Sequence, residues 1–219
     1  MAIICSQYVS MLEDDYILLP ERYNQQKYVF SEGIPLLDLI TYGTESINCT
    51  QLSKYEYLAL DTSNSSEGFI KIQQNDYNKK VESSKRIFHK RSLIISRLRP
   101  YLKQIGFIDE DLASDKTLII GSSEYYELIP KNEESIAYLV PFFLSDSIQK
   151  YLQASVEGGN HPRFRQAALS KLKVPIQIYE NRFDLSNQLE NYIKTLRLGY
   201  NGLSNLYIKT NMSTTCVSA

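Results

Sequence analysis

Two arginines, Arg97 and Arg99, close a run of strand-forming residues, Ser92-Leu93-Ile94-Ile95-Ser96-Arg97-Leu98-Arg99, which stops at Pro100. A guanidinium is a planar fork of N–H donors that suits phosphate oxygens and the paired acceptors on a base edge. Side chains on a strand alternate between its faces, so Arg97 and Arg99 are expected on the same face as Leu93 and Ile95. The apolar half would anchor the strand, and the arginine half would emerge at its end. The alternative is that both arginines pair with acids of the turn around residues 109–115.

Basic charge crowds around this run. From Lys79 to Lys103, the residues Lys79, Lys80, Lys85, Arg86, Lys90, Arg91, Arg97, Arg99 and Lys103 stand against one acid, Glu82. That segment is +8 in a chain of net charge −1, so the remainder sums to −9. A second, acid-free stretch from Gly158 to Lys173 contains Asn160, His161, Arg163, Arg165, Lys171 and Lys173. A polyanion responds to such clustering more than to the total charge. Lysine and arginine attract phosphates, and arginine and asparagine can read base edges. The candidate DNA contacts are therefore the nine basic residues of the first segment together with Asn160, His161, Arg163 and Arg165.

Catalytic signatures are sparse. Asn-Pro-Pro-Tyr, the Walker pattern and a glycine-rich loop after a strand are all missing, and Gly158-Gly159 leads into His-Pro. Asp115-Lys116 invites a metal-dependent nuclease reading, which needs further acids beside the lysine, whereas Asp109-Glu110-Asp111 reads as an exposed turn. The three cysteines (Cys5, Cys49 and Cys216) form no CxxC pair, and His89 and His161 are the only histidines. Neither a metal site nor a disulfide framework is expected, and a reducing compartment fits best. No apolar run reaches the roughly 20 residues of a membrane span. The start, MAIICSQYVSMLEDDY, lacks the basic region of a signal peptide, so a cytoplasmic protein without a membrane is expected. Tyr outnumbers Phe, 17 to 8, which suits surfaces that are half buried or that meet a polar partner.

The elements around these residues read as α+β, with strands first and helices after. An extended arm is expected over residues 1–30, and a short helix over Ile34–Ile40 closed by Gly43. Strands are expected at Tyr55–Leu60, Phe69–Ile72, Ile87–Leu98, Ile105–Phe107, Leu118–Ile120 and Tyr125–Ile129, from alternation and β-branched content. A buried helix is expected over Ser135–Leu144 despite Pro141, then a second capped by Asp146. A short helix opens at Ala167, and Leu172–Ile176 is extended.

The last segment differs in kind. Leu185, Leu189, Tyr192, Leu196, Gly199, Leu203, Leu206 and Thr210 step by alternating fours and threes, and six of the eight are apolar. That is the pattern of a coiled-coil helix seeking a partner, with Leu185, Leu189, Tyr192, Leu196, Leu203 and Leu206 as dimerisation residues. A helix from Asp184 to Thr210 would be about 40 Å long. Gly199 and Gly202 weaken it and mark a place for a bend. A globular domain over 1–180, a helix over 181–210 and a disordered polar tail over 211–219 are expected.

These features, in this order, resemble a known family. Ser92-Leu93-Ile94-Ile95-Ser96-Arg97-Leu98-Arg99-Pro100-Tyr101-Leu102 is similar to the "D-I-L-I-S-R-I-R-P-Y-L" strand of target-recognition domains in the specificity subunits of type I restriction–modification systems. Tyr138 to Leu152 resembles that family's "YL-x-x-FL-x-SD-x-x-QKYL" helices, and Gly158 to Phe164 its Gly-Ser-x-x-Pro-Arg-Ile loop. Leu169 to Pro175 resembles "L-x-x-LKVP", and Leu19 to Asn24 the N-terminal arm. The sequence departs from the family at Ala113–Leu118, in place of a small-residue stretch, and at Ile178–Asn181, in place of a Pro-Glu-Gln turn.

The resemblance implies a non-catalytic DNA-specificity subunit that directs a separate methyltransferase and a restriction or motor subunit to double-stranded DNA. S-adenosylmethionine would then bind the methyltransferase, leaving this chain without a cofactor. A full subunit of the family has two recognition domains and two spacer helices, whereas this chain has one of each, so a single-domain half-subunit is implied. It would pair through its helix with a copy of itself or with a second half-subunit. Two other readings stand beside this one: a stand-alone nuclease, and a protein-interaction subunit that acts through the helix alone.

Overall fold

The structure is a computed structural model and describes residues 32–158 and 161–214. The expected N-terminal arm and residues 215–219 lie outside them, as does Asn160. In chain order the strands are β1 (Ile34–Pro35), β2 (Ile40–Tyr42), β3 (Ser46–Ile47), β4 (Glu56–Leu60), β5 (Ser65–Ser66), β6 (Phe69–Ile70) and β7 (Lys85–Phe88). They continue as β8 (Leu93–Ser96), β9 (Ile105–Phe107), β10 (Thr117–Gly121), β11 (Tyr125–Pro130), β12 (Val156–Glu157), β13 (Arg163–Phe164) and β14 (Lys173–Val174). Two four-stranded sheets dominate, ordered β3-β7-β10-β4 and β2-β11-β8-β9. All their pairings are antiparallel except β10 with β4. Helices follow at Leu139–Leu144, Asp146–Ala154, Gln166–Ser170 and Ile176–Glu180, and a long terminal helix spans Arg182–Thr214. The α+β, strand-rich class with a C-terminal helix is the one expected.

β8 is enclosed on both faces. All four of its residues are buried, because it lies between β11 and β9 with packed layers on both faces. Leu93 and Ile95 face the helical core with Phe107, Leu128, Leu139 and Phe143, whereas Ile94 faces the opposite core with Leu58, Phe88, Ile119 and Tyr125. A strand buried on both faces has no place for a charge, so the basic residues stand only beyond its two ends. The β5–β6 hairpin crosses its neighbour β9 at Gly106, where a Cβ would come within 2.5 Å of Ile70. Only glycine permits that approach.

Several local expectations shift. The Ser135–Leu144 segment is helical only from Leu139, and Pro141 falls in the first turn, where its missing N–H has no intrahelical partner to lose. Ser145, with extended backbone, occupies the N-cap expected of Asp146, and Asp146 lies in the first turn. Ile34–Ile40 divides into β1, one helical turn at Leu36–Leu39 and the start of β2. The terminal helix is continuous through Gly199 and Gly202, and a Cβ on either would meet nothing within 4 Å.

The terminal helix rests on the body through a stripe that overlaps the heptad only at its start, Leu185 and Leu189. Ser186, Ile193 and Arg197 are buried there, and Leu189 packs against the helical core. Polar clamps hold it: Arg182 to Glu134 at 2.7 Å, the Ser135 hydroxyl to Glu190 at 2.5 Å, and the Tyr138 N–H to the Ser186 hydroxyl at 3.2 Å. Leu185 and Leu189 begin the heptad stripe half-buried against the body. Tyr192, Leu196, Leu203 and Leu206 then turn outward, at 55–64% exposure.

Candidate nucleic-acid interface

The two basic clusters, more than fifty residues apart in sequence, meet at the far end of β8. Past Ser96 the chain bends at Arg97, and the segment around Phe164 pairs with it there. The Phe164 N–H donates to the Arg97 carbonyl at 3.1 Å, and Leu98 bridges Arg163. The Arg97 N–H donates to the Glu124 carbonyl at 2.9 Å, which brings in the turn between β10 and β11. The Glu124 carboxylate joins both arginines. Arg97 donates its Nε–H to Oε2 at 2.9 Å, while Arg163 donates Nε–H to Oε2 at 2.9 Å and Nη2–H to Oε1 at 2.8 Å. The bonds from Arg163 first, and from Arg97 after it, draw the Glu124 carboxyl down to about 2 against the opposing effect of burial.

Arg99 does not share a face with Arg97. β8 ends at Ser96, and Arg99 takes a left-handed backbone with φ of 45° at the mouth of a 3-10 turn, Pro100–Leu102, so the alternation of the strand does not reach it. Its side chain is exposed and has no polar partner among the described residues. The same turn exposes Tyr101 and Leu102 and is closed by Lys103, also left-handed, whose ammonium lies 4.0 Å from Glu67. His161 is exposed, with φ of 64°, and its carbonyl accepts from Arg163 Nη1 at 3.0 Å. Arg165 pairs with Glu157 at 2.5 Å yet stays 75% exposed. Arg97, Arg99, Lys103, His161, Arg163 and Arg165 thus gather around one end of the fold.

The other candidates lie elsewhere. Lys90 and Arg91 precede β8, about 20 Å along the chain from Arg97 at strand spacing. Lys90 binds Asp115 at 2.5 Å, which lowers that carboxyl, and Arg91 lies 3.9 Å from Glu110 and donates to the Glu133 carbonyl. Arg91 also lines a cleft of about 610 Å³ with Asp109, Glu110, Glu133, Glu134 and Glu190, a lining that repels a polyanion. Lys79 pairs with Asp61 at 2.6 Å and Lys80 with Glu82 at 3.1 Å, and Arg86 donates to the Gly43 carbonyl at 3.0 Å. Lys85 is half-buried on β7. The basic segment is therefore divided among three places.

The acids of the 109–115 turn do take up cations, but other ones. Asp109 is buried against Arg197, whereas the turn had read as exposed. With Asp109 on Arg197 and Asp115 on Lys90, these acids do not converge beside Lys116. Among the described residues no three metal-ligating side chains come together, and no helix is long and apolar enough to cross a membrane. Sequence reasoning missed Glu124, which lies 27 residues from one partner and 39 from the other, and no local pattern marks it.

No protein-family model matches the sequence, and no curated protein matches it. The fold is similar to a chain in a solved structure concerning complex assembly and conformational transition of the type I R-M system, at 19% identity and a TM-score of 0.56. The alignment covers 85% of this chain and 48% of that one, so this chain spans about half the length of its neighbour. At that identity the likeness is one of fold.

Proposed function

We propose that this chain is the DNA-specificity module of a type I-like restriction–modification system, and that it directs a separate methyltransferase, with its restriction or motor subunit, to a double-stranded DNA target. The observation that carries this reading is the junction of two distant basic segments at the end of β8, where Arg97, Arg99, Arg163 and Arg165 share one rim. Forked donors on a rigid strand end can neutralise phosphates and present N–H pairs to base edges. The unpaired Arg99 and the lightly buried Arg165 supply charge, and Arg163 is held in a fixed pose. The likeness of fold to a type I R-M chain supports the same reading.

On this reading the chain is a half-subunit without its own cofactor, and S-adenosylmethionine binds the methyltransferase partner. The outward stripe Tyr192, Leu196, Leu203 and Leu206 pairs two half-subunits, because an apolar face of that length in water is covered by another helix. A pair of identical chains would require a two-fold symmetric target.

The test is fluorescence anisotropy of random-sequence duplexes at two salt concentrations, with the wild-type chain and an Arg97→Ala/Arg99→Ala variant. Salt-sensitive binding is expected, and the variant lowers both affinity and salt slope, the slope by roughly one for each phosphate that is no longer neutralised. Wild-type protein without binding at low salt overturns the reading. An unchanged slope in the variant removes these two arginines from the interface.

A further inference from the structure

Glu124 is out of place on a surface built to attract phosphates. An acid bonded to two arginines lowers the local positive charge, and a rim selected for electrostatic attraction alone would not keep it. Its hydrogen bonds suggest what it gives in return. A guanidinium has five N–H donors in one plane. In Arg163, the Nε–H and one Nη2–H go to the two Glu124 oxygens at 2.9 and 2.8 Å, and one Nη1–H goes to the His161 carbonyl at 3.0 Å. One hydrogen remains on each terminal nitrogen, with no partner among the described residues. The carboxylate occupies the Nε–Nη2 side of the plane, so the spare Nη2 hydrogen points along the terminal edge. Arg97 donates its own Nε–H to the same oxygen, Oε2, that accepts from Arg163 Nε.

We propose that Glu124 is a specificity-determining positioning residue, which holds Arg163 with one N–H free on each terminal nitrogen for a base edge that offers two adjacent acceptors, that of guanine in the major groove. The inference rests on the DNA-recognition reading. An arginine that is free in solution loses much rotational freedom on binding and settles on whichever phosphate or base is nearest. One already clamped in plane has lost that freedom in advance and presents a single direction, which favours base reading over backbone contact. The carboxylate stays ionised across the working pH range, since its two arginine partners hold it far below the ordinary carboxylate range.

A positioning role and a purely structural role predict different outcomes. Replacement Glu124→Gln removes a negative charge from the rim, so affinity for random-sequence duplex stays level or rises, while discrimination falls. A variant that merely loosened the fold would lose both.

The probes are duplexes selected from a randomised pool by the full-length wild-type chain, remade with 7-deazaguanine at one guanine at a time to delete the N7 acceptor. The wild type is expected to lose about tenfold in affinity at one such guanine. Glu124→Gln and Arg163→Ala each abolish that sensitivity, and the double variant is no less discriminating than either single. Arg163→Ala gives a second test that does not depend on the folding of the Glu124 variant. Selected duplexes without a sensitive guanine, or a Glu124→Gln chain that keeps the full tenfold loss, overturn the inference while leaving DNA recognition standing. A wild-type chain without salt-dependent duplex binding overturns the functional reading first, and the inference with it.

Discussion

Arg197 of the terminal helix closes on Asp109, which follows β9, and both side chains are buried, at 7% and 3% exposure. The guanidinium also lies over the Phe69 ring at 5.2 Å and donates to the Ile70 carbonyl at 3.4 Å, while its Nε is buried without a partner. This ion pair fixes the angle at which the helix leaves the body, and hence where the outward stripe is presented.

Removal of one partner leaves the other charge buried and unpaired. Arg197→Ala or Asp109→Ala is expected to cost about 3–5 kcal/mol, read as a lower urea midpoint. Replacing both, as Arg197→Met with Asp109→Leu, should recover much of the loss, because the desolvation of two charges disappears with the pair. A double variant as unstable as the singles would show that the pair contributes more than it costs to bury.

Acid stability carries the mark of Glu124. Its folded value of about 2 lies below the ordinary 4.5, so its contribution is fully present above pH 4.5 and is lost as pH falls through about 2. Glu127, three residues on, acts in the opposite sense: burial raises its carboxyl against the bonds from His89, so its contribution is lost as pH rises above 4.5. The thermal midpoint of Glu124→Gln, followed from pH 6 to pH 2, should fall less steeply than that of the wild type. Parallel curves would show that the carboxylate gains nothing from its two arginines.

The outward stripe makes a separable prediction. Leu196 and Leu203 are 55% and 59% exposed, so Leu196→Glu/Leu203→Glu should change the stability of the single chain by no more than about 0.5 kcal/mol per site. Sedimentation should show the loss of paired species. Self-pairing is ruled out by a wild-type chain that stays monomeric at every concentration, which leaves a second, different half-subunit as the occupant of the stripe.

Gly199 and Gly202 lie in exposed helix with open space around an added Cβ. Alanine at either should stabilise that part of the helix by about 1 kcal/mol. Amide exchange across residues 198–206 is the appropriate readout, since local opening there need not follow global unfolding. Unchanged exchange would place the opening of this stretch elsewhere.

How much of this could be read from the sequence depends on the range of the interaction. β4, β9, β10 and β11, the Asp146–Ala154 and Gln166–Ser170 helices and the long terminal helix were all legible, because alternation and the three-four step are properties of neighbouring residues. The three-four apolar step on that helix was legible too, but its division into a half that packs on the body, Leu185 and Leu189, and an outward half from Tyr192 was not. Arg99 misled, because a left-handed backbone a few residues past a strand leaves no periodic trace.

What only the tertiary structure decided is which charges meet. Arg97 and Arg163 take Glu124 from 27 and 39 residues away, and Arg197 takes Asp109 from 88 away. The sequence supplied the arginines and an excess of acids elsewhere, and any of several pairings would balance them. The antiparallel docking of the Arg163 segment beside Leu98, and of the terminal helix against the body, selects among those pairings. An ion pair requires its charges within a few ångströms, and for residues so far apart only the closure of the fold sets that distance.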